Sequence, residues 1–254
     1  MVLKNQVSLK SGETIKAKRL MDRVALECGH KIKSFRADNM PFYSAEFRAE
    51  LELHNQSIDF SGVGAHHQNG AAKRAIQTVT QWARCLMLHA IIHWPDAADL
   101  KLWPFALEQA IYLWNHLPHG DTFLSPYELF SGTKQQHYNV LQRTHVWGCP
   151  VYVLDPKLQD GKKLPKWEPK SRRGQFLGQS PEHSSTIGRI LNLKTGRISP
   201  QYHVVYDDLF TTVPNADAGG LLDMPAFDAH SWEQLLMTGS HKRHLDSIEF
   251  DHDH

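Results

Sequence analysis

The chain has 254 residues, of which 41% are hydrophobic and 22% charged, a balance typical of packed globular proteins and not of disordered ones. Its 28 Lys and Arg residues nearly match its 27 Asp and Glu residues, so the net charge of +1 excludes a strong field of one sign over the whole chain. No segment has the roughly 20 consecutive apolar residues of a membrane span, the N-terminus lacks the apolar core of a signal peptide, and three cysteines make no disulfide framework or four-ligand zinc site. We therefore expect an intracellular protein with no membrane partner.

The first 70 residues alternate between helical and strand-like patterns. The expected order is helix, strand, helix, strand and polar loop, over residues 12–28, 31–37, 44–54, 57–63 and 62–70. In the second helix we assign Phe47, Leu51 and Leu53 to the buried face. This alternation predicts an α/β fold in which helices flank a sheet.

Three helices are predicted next, at about 70–92, 103–117 and 125–130. The first contains no Asp or Glu, and its expected apolar stripe is Ile76, Val79, Ala83, Leu86, Met87 and Ala90. The last begins with Ser125 and Pro126 and ends at Gly132, because proline favours the first helical turn and glycine the position after the last.

After about residue 138 the pattern changes to short β-like runs at 151–154, 174–178, 189–193 and 202–206, with a hairpin turn at 194–196. Several short strands in this length predict a small antiparallel barrel. We therefore expect three regions, over residues 1–137, 138–213 and 214–254.

The charge is distributed unevenly along the chain. Residues 207–254 hold ten Asp and Glu against two Lys and Arg, which leaves 26 basic and 17 acidic side chains in residues 1–206. This predicts an acidic, flexible tail after a basic body, and a basic body favours polyanions such as nucleic acid through counterion release. A charge of this size is also common in proteins that bind no nucleic acid, so composition alone leaves the partner open.

Two polar motifs stand about thirty residues apart. Asp38-Asn39-Met40 ends a predicted strand, and the loop from His66 to Arg74 (HHQNGAAKR) leads into the long helix. Here the sequence resembles integrases of copia-type retrotransposons, and the similarity continues in order through 102–118, 125–132, 147–153, 173–178 and 201–206. It covers roughly residues 5–213. The resemblance implies a ribonuclease-H-like integrase core with long C-terminal helices, then an SH3-like β-barrel.

Members of this family cut and join DNA with two divalent ions, Mg²⁺ or Mn²⁺, held by two Asp and one Glu. The resemblance places Asp38 at the second Asp and Lys73 at the position of the Glu. Only about ten residues precede the first predicted helix, enough for one edge strand at 5–9, so the strand that carries the first Asp is missing and the core is incomplete. We therefore expect an N-terminally truncated, degenerate integrase-like protein.

The ammonium group of Lys73 would repel a cation at the family's metal site, and Asp38 alone would not hold two ions. We therefore expect a pseudoenzyme that has lost strand transfer and needs no metal cofactor, in which Asp38 is a remnant of the catalytic and metal site.

Basic residues in two regions are candidates for binding DNA or another nucleic acid. Residues 157–173 hold seven Lys and Arg residues, two acidic residues and Trp167, a combination that can bind phosphates and stack on a base. The alternative is a solvated loop with Trp167 folded against the barrel. The candidate residues are Asn69, Lys73, Arg74, Arg84, Lys162, Lys163, Lys166, Trp167, Lys170, Arg172 and Arg173.

Three functional hypotheses follow from the sequence. The first is a degenerate integrase-like protein, expected in the nucleus. The second is a DNA- or RNA-binding protein of non-catalytic function, and the third is an unstable product of a decayed element. The sequence leaves the oligomeric state open.

Overall fold

The computed structural model describes residues 1, 11–37, 42–62, 69–134, 139–184 and 186–213. The predicted edge strand at 5–9, Asp38 and the tail at 214–254 lie outside these residues. The helices are α1 (Ser11–Glu27), α2 (Ala45–Leu53), α3 (Gly70–His93), α4 (Trp103–His116), α5 (Pro126–Ser131), α6 (Asn139–Gln142) and α7 (Pro156–Gln159). The strands are β1 (Ser34–Ala37), β2 (Ser57–Phe60), β3 (Pro150–Leu154), β4 (Ser171–Gln179), β5 (Gly188–Asn192), β6 (Ile198–Gln201) and β7 (Val204–Tyr206). Among the described helices, none is long and apolar enough to span a bilayer.

Strands β1 and β2 form a parallel pair and alternate along the chain with α1 and α2, in agreement with the α/β prediction. Helix α2 begins where Ser44 Oγ accepts a hydrogen bond from the backbone N–H of Phe47 (3.2 Å). Phe47 and Leu51 are buried as expected, whereas Leu53 is 74% exposed. The assignment of Leu53 was wrong because it lies only two residues after Leu51, and that spacing turns its side chain to the opposite side of the helix.

A group of charged side chains joins α1 to α2, in which Glu50 and Lys18 are buried and Arg19 is exposed. Arg19 donates from Nε and Nη2 to the two carboxylate oxygens of Glu50, at 2.9 and 3.0 Å. Lys18 is 2% exposed, and its ammonium nitrogen lies 2.9 Å from a carboxylate oxygen of Asp22. The hydrogen bonds from Arg19 outweigh the effect of burial and lower the pKa of Glu50 from 4.5 to about 2.

Replacing Glu50 by Gln should lower the free energy of unfolding at neutral pH by about 1.5–3 kcal/mol, the usual contribution of hydrogen bonds to a charged group. Because folding lowers the pKa of Glu50, its contribution is complete above pH 4.5 and is lost as the pH falls towards 2. Urea unfolding of both proteins over this range should show the difference shrinking with acid. Glu52→Gln, at an exposed position on the same helix, is the matched control, and an equal effect there would contradict the assignment.

Helices α3 and α4 pack against each other along the predicted stripe. Val79, Ala83, Met87 and Ala90 are buried, and Trp82 meets Trp114 edge to face with ring centroids 5.6 Å apart. Ile76 was assigned to the same stripe but is 60% exposed, because burial on α3 begins one turn later, at Val79.

The five C-terminal strands form an antiparallel sheet in the order β6-β5-β4-β3-β7. A closed barrel was predicted, but β6 and β7 lie at opposite edges, and no pairing joins them among the described residues. The strand expected at 202–206 begins only at Val204. Strand β6 was not predicted from the sequence. Strand β4 also begins earlier than predicted, so Arg172 and Arg173 lie in a strand and not in a loop.

The sheet meets the helix pair at Gly148. The backbone φ of Gly148 is +82°, in the left-handed region that favours glycine. Its N–H donates a hydrogen bond to the carbonyl of Phe176 on β4 (2.8 Å). A Cβ atom added at this position would lie only 2.5 Å from Cβ of Ala90 on α3. The neighbouring Trp147 and Leu177 are buried among α3 and α4 residues. The sheet and the helices therefore share one core, while the expected division at residues 137 and 138 stays a prediction.

Replacing Gly148 by Ala should destabilise the protein by about 2–4 kcal/mol, since it adds both backbone strain and a clash with Ala90. Gly196→Ala is the matched control, because Gly196 has a φ of +69° but no atom lies within 4 Å of the place that a Cβ would take there. Thermal unfolding of both variants separates the backbone strain, which both share, from the clash with Ala90, which only Gly148→Ala has. Equal losses of stability would show that the close approach at Ala90 is unimportant.

Candidate nucleic-acid interface

The first candidate region lies where β1, β2 and α3 come together. The carbonyl of Ala37, the last residue of β1, accepts from the N–H of Ser61 (3.2 Å), and Ser61 Oγ accepts from Asn69 Nδ2 (3.2 Å). Asn69 therefore ties the start of α3 to the ends of both strands. Asp38 follows Ala37 in the sequence and lies outside the described residues, so its predicted role remains a prediction.

Lys73 and Arg74 stand exposed in the first turns of α3, which carries no acidic residue there. In the part of the chain that the structure describes, no three His, Cys, Asp or Glu side chains come together to hold a metal ion. The described charged side chains at this helix end are cationic, and they attract anions.

Arg84 lies on nearly the same side of α3 as Lys73, about 16 Å further along the helix axis. It is half-buried, and its Nε has no hydrogen-bond partner among the described residues. We call Lys73, Arg74 and Arg84 the helix surface.

The second candidate region is the basic segment at 157–173. Asp155 Oδ1 accepts from the N–H of Lys157 (2.9 Å), and the N–H of Asp155 donates to Lys170 O (2.9 Å), so the two ends of the segment are held together. Between them, Trp167 is 89% exposed, and Lys166 Nζ lies 5.4 Å from its ring centroid. This exposure rejects the alternative in which the indole folds against the sheet.

The two arginines at the end of this segment differ from its lysines. The guanidinium carbon of Arg173 lies 5.5 Å from the ring centroid of Trp94, which is only 2% exposed. Arg172 is half-buried opposite Val153 on β3. Both arginines therefore contribute to packing as well as to charge.

Two further cations were missed by the sequence reasoning. Lys194 and Arg197 are exposed in the turn between β5 and β6. Because Gly174 pairs with Asn192, this turn lies beside the start of β4. The sequence showed the turn but not its register. We use the name sheet-end surface for the following exposed residues: Lys162, Lys163, Lys166, Trp167, Lys170, Lys194 and Arg197.

The helix surface begins with Lys73 at the start of α3, whereas the sheet-end surface lies beyond the end of this helix, where Arg173 packs on Trp94. From Lys73 to Trp94 the helix rises about 30 Å, whereas one compact anion spans a few ångströms. A ligand that contacts both surfaces must therefore be an extended polyanion, and about nine base pairs of duplex DNA cover this length at roughly 3.4 Å per pair.

The sequence also did not reveal a cleft of about 660 Å³ between α1 and the segments around α2 and β1. Its lining combines basic, polar and apolar residues: Arg19, Asp22, Arg23, Leu26, Lys31, Ile32, Leu53, His54, Asn55 and Gln56. Its lining comes from two separate stretches, 19–32 and 53–56, so only the packing of α1 against the residues after α2 brings them together.

Comparison with known proteins identifies relatives but no matching family model. The chain is 31% identical over 183 residues to the retrovirus-related Pol polyprotein from transposon RE1 of Arabidopsis thaliana, a match that covers 70% of this chain and 11% of the relative. It is 28% identical over 162 residues to the polyprotein from transposon RE2 of the same plant, covering 63% and 10%. The chain thus spans about a tenth of the length of these curated relatives.

A solved chain in the cryoEM structure of the simian T-cell lymphotropic virus intasome, in complex with the PP2A regulatory subunit B56 gamma, has a TM-score of 0.36 and 14% identity. That match covers 78% of this chain and 64% of the viral one, and at this score it supports no structural conclusion. The sequence similarities support an origin of this chain in a retrotransposon Pol sequence.

Proposed function

We propose that this chain is a degenerate integrase-like protein of copia-type retrotransposon origin that binds nucleic acid and no longer transfers DNA strands. In this proposal the part around β1, β2 and α3 derives from a ribonuclease-H-like core, and the five-stranded sheet from an SH3-like module. With DNA as its partner, the protein would act in the nucleus.

The observation that carries the binding proposal is the exposure of Trp167 among lysines that make no ion pair with an acidic side chain in the described residues. An indole in this setting offers a stacking face to an unpaired base, while the nearby ammonium groups contact phosphates of either single-stranded or duplex nucleic acid. The exposure of Trp167 leaves its ring accessible to a ligand. The contacts are with the backbone and the base faces, so we expect little sequence preference.

The loss of catalysis is proposed from Lys73. An integrase-type site needs carboxylate oxygens at this position to hold a divalent ion. Helix α3 offers an ammonium instead, and its sequence contains no Asp or Glu that could replace the missing ligand.

The double variant Lys162→Glu/Lys163→Glu should bind a mixed-sequence DNA duplex less tightly than the unmodified chain. The plot of log affinity against log salt has a negative slope, and each lost phosphate contact makes it less steep by about one. The slope of the double variant should therefore be less steep by about two. Fluorescence anisotropy at a series of salt concentrations measures both quantities. Arg172 and Arg173 are left unchanged because they also pack.

The matched control is Lys31→Glu/Lys33→Glu, an equal charge change at exposed positions before β1. It should leave the slope nearly unchanged. A salt-independent affinity of the unmodified chain, or equal effects of the two double variants, would contradict the proposed interface.

The purified chain should show no joining of DNA ends in Mg²⁺ or Mn²⁺, because the proposed site cannot hold the paired ions. A gel assay with a labelled duplex that mimics an element end tests this expectation. Mg²⁺-dependent strand transfer that disappears in Asp38→Asn would overturn it.

A further inference from the structure

The acidic tail and the sheet-end surface carry opposite charges in one chain. Residues 214–254 hold eight Asp and Glu residues against two Lys and Arg residues. The sheet-end surface carries six Lys and Arg residues, and its central segment at 157–173 has seven basic residues against two acidic ones. Charges of opposite sign in one chain attract at high effective concentration, without the entropic cost of bringing two molecules together.

The structure shows where the tail begins. Val213, the last described residue, is buried in one cluster with Phe210 and Trp94. Arg173 lies over the ring of that same Trp94, with its guanidinium carbon 5.5 Å from the centroid. The last described residue therefore belongs to the same cluster as the ring on which Arg173, the end of the basic segment, packs.

The anchor before the tail is well held. The carboxylate of Asp207 accepts hydrogen bonds from Thr211 and Thr212, on both backbone and hydroxyl groups, at 2.6–3.0 Å. Burial raises its pKa, but these hydrogen bonds outweigh burial and keep the pKa below the ordinary value. The exit point is thus fixed to the sheet. The first tail carboxylate, Asp217, is four residues beyond Val213, a reach of at most about 14 Å.

We propose that the acidic tail binds the sheet-end surface of its own chain and competes there with nucleic acid. This inference rests on the proposed function for the competition, whereas the contact of the tail with the surface does not depend on it. The tail carboxylates would occupy the phosphate positions around Trp167. Exposed ion pairs are individually weak and screened by salt, so the contact is an adjustable mask and not a permanent closure.

The contact can be tested without nucleic acid, on the full chain. A carbodiimide joins a carboxylate to a lysine amine only where the two touch. Mass spectrometry should find links from tail Asp and Glu residues to Lys162, Lys163, Lys166, Lys170 or Lys194, and these links should fade at high salt. An absence of such links, or tail links mainly to other lysines, would overturn the proposal.

Mixing ¹⁵N-labelled and unlabelled chains distinguishes contact within a chain from contact between copies. Links within one isotope population support the proposal. Links that join the two populations would assign the surface to a second copy and overturn the contact within a chain.

The competition is tested with two matched full-length variants, each losing four negative charges through Asp→Asn and Glu→Gln changes. The tail variant changes Asp217, Asp223, Asp228 and Glu233. The control variant changes four exposed acids of the described body, Glu27, Glu46, Glu52 and Glu182. Both variants should bind DNA more tightly because each loses four negative charges. Only an additional gain in the affinity of the tail variant reports masking.

We expect the tail variant to bind DNA roughly three- to tenfold more tightly than the control at low salt, with the difference vanishing at high salt. Equal affinities of the two variants would overturn the masking even if the cross-links are present. If cross-links form within the chain but Lys162→Glu/Lys163→Glu does not alter DNA binding, the proposed function fails while the tail contact stands.

Discussion

The contact between Gly148 and Ala90 is the constraint on which the rest of the structure depends. A backbone with positive φ and no side chain brings the sheet against α3, so Trp147 and Leu177 complete a core that neither the helix pair nor the sheet forms alone. The same approach sets the distance between the start of β4 and the end of α3. The position of the sheet-end surface relative to α3 therefore depends on this glycine, together with the ion pair of Arg189 with Glu108 and the close approach of Gly178 to Gln109.

Helices were predictable where their signals are local. Ser125 and Glu128 form a reciprocal capping box, and Gly132 ends α5 with a φ of +67°, both of which can be seen in the sequence. The pairing of Lys18 with Asp22 is local, at i and i+4 on α1, but the burial of Lys18 could not be foreseen, because it depends on the packing of α2 and its Glu50 against α1. Strand β6 was missed because it consists of Ile-Ser-Pro-Gln, which has no strong strand pattern without its partner β5.

The candidate interface was predictable in composition but not in geometry. The sequence shows Trp167 among lysines, yet only the fold decides whether the indole is buried or exposed. Lys194 and Arg197 join the surface through the register of β4 and β5, which no local pattern reveals. Arg173 shows the reverse case, since its packing on Trp94 gives a structural role to a residue that the sequence assigned to binding alone.

The proposed loss of catalysis and the proposed gain of binding have one electrostatic cause. A cluster of carboxylates at the start of a helix attracts divalent cations, and the DNA backbone is then bound through those ions. An ammonium at the same place cannot hold the ions, but it attracts the phosphates directly, and the partial positive charge of the helix N-terminus acts in the same direction. Replacement of Glu by Lys at position 73 would therefore remove the chemistry while keeping, or even strengthening, the affinity for the polymer on which that chemistry acted. In these two proposals the chain keeps its ligand without its reaction, and the acidic tail limits how much of that ligand it binds.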